Sequence, residues 1–497
     1  MKKMNLLTMS LVSAAALSFS SCSSNDDLTG GGTQSQADGV YMTLKISGAT
    51  SHGTRTSVTD GKTTTDNGSV AESTITEGMM YIYDGPTCVF RKVITKDMFE
   101  TAPTQTTSGV TRPIKVAVTG AITTGKKYDV YFLANRTNVD NPIAATSIFT
   151  SNTGGADFAT DNKFVMFNQN DGTKAAAHSK VEFTDAAKSD KSPAAADEIK
   201  LDRVVARIDN PSFDESVKTV TPAENTTTSI NVADVVAGIS YEGFAVSNLN
   251  NNSYVMQNWD TKFKTLNVKW GEPKYSLPKS DYGTLYNAAG LVNFSSKENP
   301  VSWKYAFENT TTDVNDATAV YFKVKVALTE TANNASDFKD GTFYRYDGRL
   351  YTSIQAIYDD ATTGAISNPF TETSSITPAD VVAKISDADG KLTTDEAKLA
   401  QFRQDYKIEV YRQGVMYYRW AISDNAYKPF IASETTHTYS VLRNSIYRLK
   451  VTKVSEIGKD VPNGPEPDDP VKNPNFYMNV TVSINPWVLN AQPIELK

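Results

Sequence analysis

Short segments in which apolar and polar residues alternate recur along most of the 497-residue chain, separated by stretches rich in Ser, Thr, Asp and Asn. In residues 320–328, for example, every even-numbered position is apolar, whereas Lys323 and Lys325 lie on the opposite face. A period of two is typical of a half-buried β-strand. The pattern therefore predicts a mainly β fold, with two β-sandwich-like (transthyretin-like) domains in tandem and short helices in insertions.

Charge and composition exclude several classes of function. The chain has 49 Lys+Arg against 56 Asp+Glu, a net charge of -7, and carries no basic block, which argues against nucleic acid as a partner. Its three histidines, His52, His178 and His437, lie far apart in the sequence, and no acid–base or nucleophile constellation is visible. We therefore predict a protein that is not an enzyme, with no catalytic residue, no cofactor and no metal site.

The first 21 residues have the features of a lipoprotein signal peptide. Two lysines precede a mainly apolar run of about 14 residues, which is shorter than the roughly 20 needed to span a bilayer. Cys22 then resembles the lipobox cysteine of bacterial lipoproteins, whose thiol is acylated, for example with palmitate. The alternative is an ordinary cleavage site beside a chance cysteine. The other cysteine, Cys88, lies in an apolar stretch and is predicted to be a buried small hydrophobe.

Two segments, one near each end of the chain, share a strand pattern. Residues 41–47 read Tyr-Met-Thr-Leu-Lys-Ile-Ser, and residues 477–483 read Tyr-Met-Asn-Val-Thr-Val-Ser. The apolar face of the first segment carries Met42, Leu44 and Ile46. The corresponding residues of the second segment and of its continuation are Met478, Val480, Val482, Ile484, Trp487 and Leu489. Because alternate residues of a strand face the same side, both segments are predicted to fit the same groove in the same register.

A proline-rich linker, residues 461–475, separates the second segment from the rest of the chain. Proline has no backbone N–H for a sheet, so the linker is predicted to stay extended over roughly 45 Å at most. The first segment is followed by a small polar loop, residues 50–57, in which a protease could cut between Arg55 and Thr56. The predicted organisation is a signal peptide (1–21), a tether (22–39), an N-terminal domain (40–200) opening with strand 40–47, a C-terminal domain (201–460), the linker (461–475) and a C-terminal donor segment (476–497).

The shared pattern suggests how such a chain could polymerise. Cleavage after Arg55 would release the first strand together with the lipid anchor, leaving a groove of unpaired backbone and apolar pockets. The C-terminal strand of another copy could fill that groove, which is donor-strand complementation. Because such head-to-tail contacts do not close on themselves, they would propagate into a filament.

Several motifs carry a resemblance to a known family. They are YDVYFLAN at 128–135, RVVAR at 203–207, GVMYYRW at 414–420 and VLRNSIY at 441–447, together with the lipoprotein start and the Pro/Asp linker followed by residues 478–487. With these motifs the chain resembles the fimbrillins, the subunits of the protease-assembled (type V) pili of Bacteroidales, and especially their minor-fimbrium major (shaft) subunit.

The resemblance implies a site and a function. Cys22 would be the lipidation site, Arg55 the residue before the processing cut (with Lys62 as the alternative) and 476–497 the donor segment. The implied partners are other copies of the chain, an arginine-specific protease, accessory anchor and tip fimbrial subunits, and the outer membrane through the lipid before maturation. The chain would be exported as an outer-membrane lipoprotein precursor and end in an extracellular fimbrium serving adhesion, biofilm formation and colonisation.

Three further interpretations come from the sequence. The alternative to a polymer subunit is a monomeric surface lipoprotein that binds glycans through its Tyr and Trp residues. Residues 387–396 resemble a calcium-binding EF-hand loop, but Ile385 stands at the first ligand position, so a polar turn between two short helices is expected instead. A β-hairpin is predicted where two strand-like segments flank residues 412–414.

Overall fold

The computed structural model describes residues 39–48, 66–67, 69–100, 114–144, 146–170, 179–214, 216–221, 231–258, 301–311, 314, 316–370, 376–422, 439–461 and 478–488. In these residues 41% of the chain is β-strand and 17% is helix, and the strands form several sheets, so the prediction of a mainly β fold is confirmed. The predicted signal peptide, Cys22, the cleavage residues Arg55 and Thr56, and Leu489 lie outside the described residues.

The strands of the first part of the chain are β1 (Val40–Leu44), β2 (Ile46–Gly48), β3 (Asp66–Asn67), β4 (Gly78–Asp84), β5 (Thr87–Ile94), β6 (Ile114–Val118), β7 (Lys127–Ala134), β8 (Ile148–Thr150), β9 (Met166–Asn168), β10 (Ser179–Glu182), β11 (Ala194–Ala195) and β12 (Ile199–Arg203). Those of the second part are β13 (Ala206–Asp209), β14 (Ser212–Phe213), β15 (Val236–Ser247), β16 (Asn252–Tyr254), β17 (Trp303–Ala306), β18 (Asn309–Thr311), β19 (Ala319–Leu328), β20 (Phe343–Tyr346), β21 (Arg349–Tyr351), β22 (Glu409–Tyr411), β23 (Val415–Ala421), β24 (Tyr439–Val441), β25 (Ser445–Val454) and β26 (Met478–Val488).

The helices are short and lie between strands. They are α1 (Val70–Ser73), α2 (Lys96–Glu100), α3 (Val232–Val235), α4 (Glu330–Asn334), α5 (Ile354–Thr362), α6 (Pro378–Lys384) and α7 (Glu396–Tyr406), with single 3-10 turns at Ala156–Phe158, Asp185–Lys188 and Arg412–Gly414. None of the helices in the described part of the chain has the length and apolar composition needed to cross a membrane.

Two sheets enclose the first hydrophobic core. One has the strand order β2-β12-β9-β7-β4-β5, with β10 paired to β7, and the other has the order β11-β1-β6. Buried side chains of both sheets form one cluster, so this part of the chain is a sandwich. The cluster runs from Val40 to Val205, and Val255, Phe307 and Ile446 join it from later in the chain.

A second core begins at Ala206 and continues to Ile457. It lies between the sheet β17-β13-β25-β26-β3, to which β14 is added beside β25, and the sheet β15-β19-β23. A third, smaller cluster joins α5, α6 and α7 to the sheet β21-β20-β22. The change from the first core to the second therefore falls between Val205 and Ala206, whereas the exact domain limits of 200 and 201 stay a prediction.

The predicted hairpin around residues 412–414 is wrong. Although β22 and β23 follow each other in sequence, β22 pairs with β20 and β23 pairs with β19 in another sheet. The chain turns between them through two left-handed residues, Gln413 (φ 52°) and Gly414 (φ 77°). The period-two pattern identified the strands but carries no information on which distant strand each one pairs with.

Cys88 is half-buried, not fully buried as predicted, and it packs at the margin of the first core. It belongs to β5, which is an edge strand of its sheet. An edge strand has a neighbour on one side, so its side chains are covered less completely than those of a central strand.

Candidate assembly site

The first strand of the described chain is a central strand. β1 pairs antiparallel with β6 on one side and parallel with β11 on the other. In this register Met42 lies opposite Val116 of β6 and Ala194 of β11. Both backbone edges of β1 therefore have partners, and removal of the strand would leave unpaired edges on β6 and β11.

The same strand passes from one sheet of the sandwich to the other. It is interrupted at the exposed Lys45 and continues as β2, which pairs parallel with β12. The backbone N–H of Ala196 donates to the carbonyl of Thr43 (3.1 Å), and that of Ile199 donates to the carbonyl of Lys45 (2.9 Å). The leading strand therefore connects the two sheets of the first core.

The apolar residues predicted for this strand are fully buried. Met42, Leu44 and Ile46 are each 0 % exposed, whereas Tyr41 and Thr43, on the other face, are half-buried. Burial of such a side chain stabilises a fold by about 1.5–3 kcal/mol. The alternation read from the sequence thus corresponds to an inward and an outward face, and the inward face fills pockets in the core.

Ser47 adds a polar contact that sequence reasoning did not predict. It is 5 % exposed, and its Oγ donates a hydrogen bond to Oε1 of Glu198. Glu198 lies immediately before β12, and its backbone carbonyl accepts a hydrogen bond from Oγ of Ser179 (3.1 Å). The serine shared by residues 41–47 and 477–483 was the signal that could have pointed to this contact.

The C-terminal strand lies in a different sheet from the first strand. β26 pairs antiparallel with β25, with Ile484 opposite Tyr447 and Val480 opposite Val451. At its end it pairs parallel with β3, where Trp487 lies opposite Asp66. The backbone positions of Met478, Val480, Val482, Ile484 and Trp487 all belong to this strand. Before any exchange, the two segments with the shared pattern therefore occupy separate sheets of one molecule.

The chain is firmly held up to the point where the predicted linker begins. Val461 is fully buried, and Oδ2 of Asp460 accepts hydrogen bonds from Nε of Arg403 and from the backbone N–H of Val410 (2.8 Å). One residue earlier, Lys459 exchanges two backbone hydrogen bonds with Tyr417 (2.7 and 2.9 Å). The start of the linker is therefore anchored to the second and third clusters.

A buried polar network joins the first core to the second. Glu72 of α1, only 2 % exposed, forms a capping box with Ser69, and its Oε1 accepts a hydrogen bond from Nη1 of Arg207 (2.9 Å). Nε of Arg203 donates to the carbonyl of Glu72 (2.9 Å). Burial lowers the pKa of Arg203 to about 9. For Glu72, burial favours a higher pKa, but the hydrogen bond from Ser69 and the charge of Arg207 outweigh it, and the pKa is lowered.

Asn444 completes this network from the turn between β24 and β25. Its side-chain oxygen accepts from the backbone N–H of Arg203 (3.3 Å) and from Nη1 of the same residue (3.2 Å), while its Nδ2 donates to Oδ1 of Asp202 (2.7 Å). Its backbone N–H donates to the carbonyl of Val205 (2.8 Å). The motifs at 203–207 and 441–447 therefore meet where the two cores join.

The acidic loop at 387–396 uses its carboxylates internally. Oδ1 of Asp387 accepts the backbone N–H groups of Asp389 and Lys391 (both 2.9 Å), and Glu396 accepts a hydrogen bond from Nη1 of Arg412 (2.6 Å). Burial raises the pKa of Glu396. The loop lies between α6 and α7, as predicted, and among the described residues no three His, Cys, Asp or Glu side chains are placed to hold a metal ion.

Residues 409–493 match the family model described as "Major fimbrial subunit protein type IV, Fimbrillin, C-terminal". This C-terminal segment resembles the fimbrillins. The matched residues include β23, β25 and β26, and they include three of the stretches that carry the resemblance: 414–420, 441–447, and the Pro/Asp linker followed by 478–487. The resemblance to fimbrillins is thereby confirmed for this part of the chain, whereas the shaft and minor-fimbrium subtype stays a prediction. The matched family is one of structural pilus subunits, in line with the predicted class of protein. No curated protein sequence matches the chain.

Solved structures that align with most of this chain come from Parabacteroides and Porphyromonas. One is a putative cell adhesion protein from Parabacteroides distasonis, with 14% identity, covering 91% of this chain and 98% of that chain at a TM-score of 0.41. Another is a fimbrilin (fimA) from Porphyromonas gingivalis W83, with 14% identity, covering 91% and 99% at a TM-score of 0.39. The tip fimbrial protein Mfa3 from Porphyromonas gingivalis has 11% identity, covering 90% and 100% at a TM-score of 0.33.

Proposed function

We propose that this chain is a fimbrillin and a shaft subunit of a cell-surface fimbrium that polymerises by donor-strand exchange. The precursor is exported as a lipoprotein acylated at Cys22, and an arginine-specific protease cuts it between Arg55 and Thr56. The leading strand then leaves, and residues 476–497 of the next subunit take its place. The resulting fimbrium serves adhesion, biofilm formation and colonisation, together with accessory anchor and tip subunits.

The observation that carries this proposal is the environment of the leading strand. β1 is paired on both edges, and the side chains of Met42, Leu44 and Ile46 are completely buried in the first core. A chain that loses this strand exposes two sheet edges and three apolar pockets at once, a surface that must be covered again. The residues at 478–482 offer a replacement with the same alternation.

The position of the C-terminal strand supports the same proposal. β26 adds to the sheet beside β25 at the far end of the chain, beyond the proline-rich linker. A strand held at that position can detach without disturbing the sandwich around β1, because it belongs to another sheet. The linker start at Asp460 stays fixed while the strand moves.

Limited digestion of the purified precursor with an arginine-specific protease tests the proposal. Gel filtration, and electrophoresis of unboiled samples in SDS, are expected to show a ladder of oligomers after cleavage. The variant Arg55→Ala is the matched control and is expected to stay monomeric under the same treatment. A cleaved wild-type chain that remains a monomer would contradict the proposal and favour the monomeric glycan-binding lipoprotein.

A further inference from the structure

The apolar side chains of the C-terminal strand do not define a single register in the groove. Its aliphatic residues follow one another at every second position: Met478, Val480, Val482 and Ile484. The pockets of Met42, Leu44 and Ile46 have the same spacing, so a shift of two residues would again fill them with large apolar side chains. A second feature of the groove is needed to select one register.

Glu198 is such a feature, because it lies outside the segment that cleavage after Arg55 removes. Its carboxylate accepts the hydrogen bond of the nearly buried Ser47, and its backbone is held by the hydrogen bond from Ser179. The next residue, Ile199, is paired with Ile46. In the precursor the carboxylate of the exposed Glu198 therefore lies at a defined position along the groove, beside Ser47.

We propose that Glu198 sets the register of the incoming strand by accepting a hydrogen bond from Ser483 of a second copy of this chain. This inference rests on the proposed function and names a positioning residue for it. When residues 477–483 replace residues 41–47 in register, Ser483 falls at the position of Ser47. A small hydroxyl group then meets the carboxylate again, and a hydrogen bond to a charged group is stronger than one between neutral groups.

The two registers that are shifted by two residues are both less favourable than the proposed register, for different reasons. A shift that brings Thr481 to Glu198 retains a hydroxyl group but places Pro474 at the position of Val40, which is paired with Val118 of β6. Proline has no backbone N–H to donate and is unfavourable in a strand that lies between two others. The opposite shift places Asn485, which is larger than serine, at the nearly buried position of Ser47.

Cross-strand disulfides can report which register forms. Thr43 lies opposite Lys115 of β6, so the precursor with Thr43→Cys and Lys115→Cys is the control for disulfide geometry. In a filament the residue opposite Lys115 is Asn479 in the proposed register, and Tyr477 or Thr481 after a shift of two. Subunits with Lys115→Cys are therefore polymerised with subunits carrying a cysteine at one of these three positions, all in a Cys88→Ser background.

We expect Asn479→Cys to give about tenfold more inter-subunit disulfide than either shifted pair, since a hydrogen bond to a charged group has roughly this effect on an equilibrium. Glu198→Ala is expected to reduce the preference severalfold, and Ser483→Ala to do the same from the donor side. Glu182→Ala is the control, because Glu182 is an exposed glutamate of β10, which pairs with β7 and not with the leading strand.

Equal cross-linking of the three pairs in wild-type filaments would overturn the proposal, and so would a preference that Glu198→Ala and Ser483→Ala both leave unchanged. A merely structural role of Glu198 would lower stability without changing the ratio of the disulfides. If no ladder of oligomers forms even with Glu198 intact, the proposed function itself fails, so the two failures are distinguishable.

Discussion

Two buried arginines depend on the carboxylate of Glu72 where the first core meets the second. Arg207 binds its Oε1, and Arg203 binds its backbone carbonyl and adds a second positive charge close by. Removal of one partner from a buried ion pair leaves the other charge uncompensated, which is usually more costly than the pair itself is stabilising. Glu72 therefore stabilises the contact between the cores together with Asp209, whose Oδ1 also binds Nε of Arg207 (2.8 Å).

We expect Glu72→Gln to lower the free energy of unfolding by about 2 kcal/mol at neutral pH, because a charged hydrogen bond is lost while Asp209 still balances Arg207. The pKa of Glu72 is lowered in the folded chain, so its stabilising effect is present above the ordinary value of 4.5 and is lost as the pH falls through the folded pKa. The difference between wild type and variant should therefore shrink in acid. Denaturant unfolding at pH 7 and below pH 4 measures this difference in the free energy of unfolding. Glu182→Gln is the control and should have a small effect, because the side chain of Glu182 is half-exposed.

A second prediction concerns the turn that was predicted as a hairpin. A Cβ atom on Gly414 would lie 2.2 Å from the carbonyl oxygen of Val326, and the residue has φ +77°. Gly414→Ala is therefore expected to destabilise the chain by about 3 kcal/mol or more. Gly364 has a similar φ of +79° but nothing within 4 Å, so Gly364→Ala should cost only about 1 kcal/mol. Equal effects of the two substitutions on the melting temperature would contradict the steric argument.

At the scale of single residues, alternation in the sequence predicted the buried face of the leading strand but not the polar network. Met42, Leu44 and Ile46 are buried because neighbours two apart in a strand share a face. The contacts of Arg203, in contrast, reach residues 131 and 241 positions away in the sequence. Such distances leave no local pattern, and the motif at 203–207 could be recognised without its partners being known.

At the scale of elements, the groove of β1 should accept a separate strand once the leading strand is gone. A synthetic peptide of residues 476–488 added to the cleaved chain is expected to raise its melting temperature, because the peptide restores both sheet edges and fills the apolar pockets. The same peptide with Val480→Asp should have little effect, because it would place a charge in the pocket of Leu44. A similar rise with both peptides would show that the pockets do not select the strand.

The elements themselves were predicted better than their pairing. The strand predicted at residues 320–328 differs from β19 by one residue. The pairing of β22 and β23 could not be predicted, because each joins a strand far away in sequence. Whether two neighbouring strands form a hairpin depends on the whole sheet, which a local pattern does not encode.

At the scale of the whole molecule, the side chain of Asn444 couples the two cores. Asn444→Gly preserves the left-handed backbone (φ 56°) but removes the hydrogen bonds to Arg203 and Asp202. We expect calorimetry to show the unfolding transition broadened or split into two. Asn135→Gly is the matched control, since Asn135 also has a positive φ (59°) but its side chain bonds to residues of the first part of the chain, Thr76, Thr74 and Phe164. It should lower the melting temperature without splitting the transition.

In the proposed assembly each molecule has one acceptor groove, which the leading strand vacates, and one donor strand, which it inserts into another copy. The groove belongs to the first core and the strand to the sheet of the second core, so the two activities can be separated in different variants. Arg55→Ala retains the leading strand and leaves only the donor function. A chain ending at residue 475 and cut after Arg55 has only the acceptor function.

Mixing these two variants and measuring the mass of the product by light scattering tests the account most directly. We expect a one-to-one dimer that resists SDS without boiling. The dimer cannot grow, because the groove of the Arg55→Ala chain is still filled by its leading strand and the chain ending at residue 475 has no donor strand. Two separate monomers, or growth beyond the dimer, would contradict the exchange of the leading strand for the C-terminal strand of another copy.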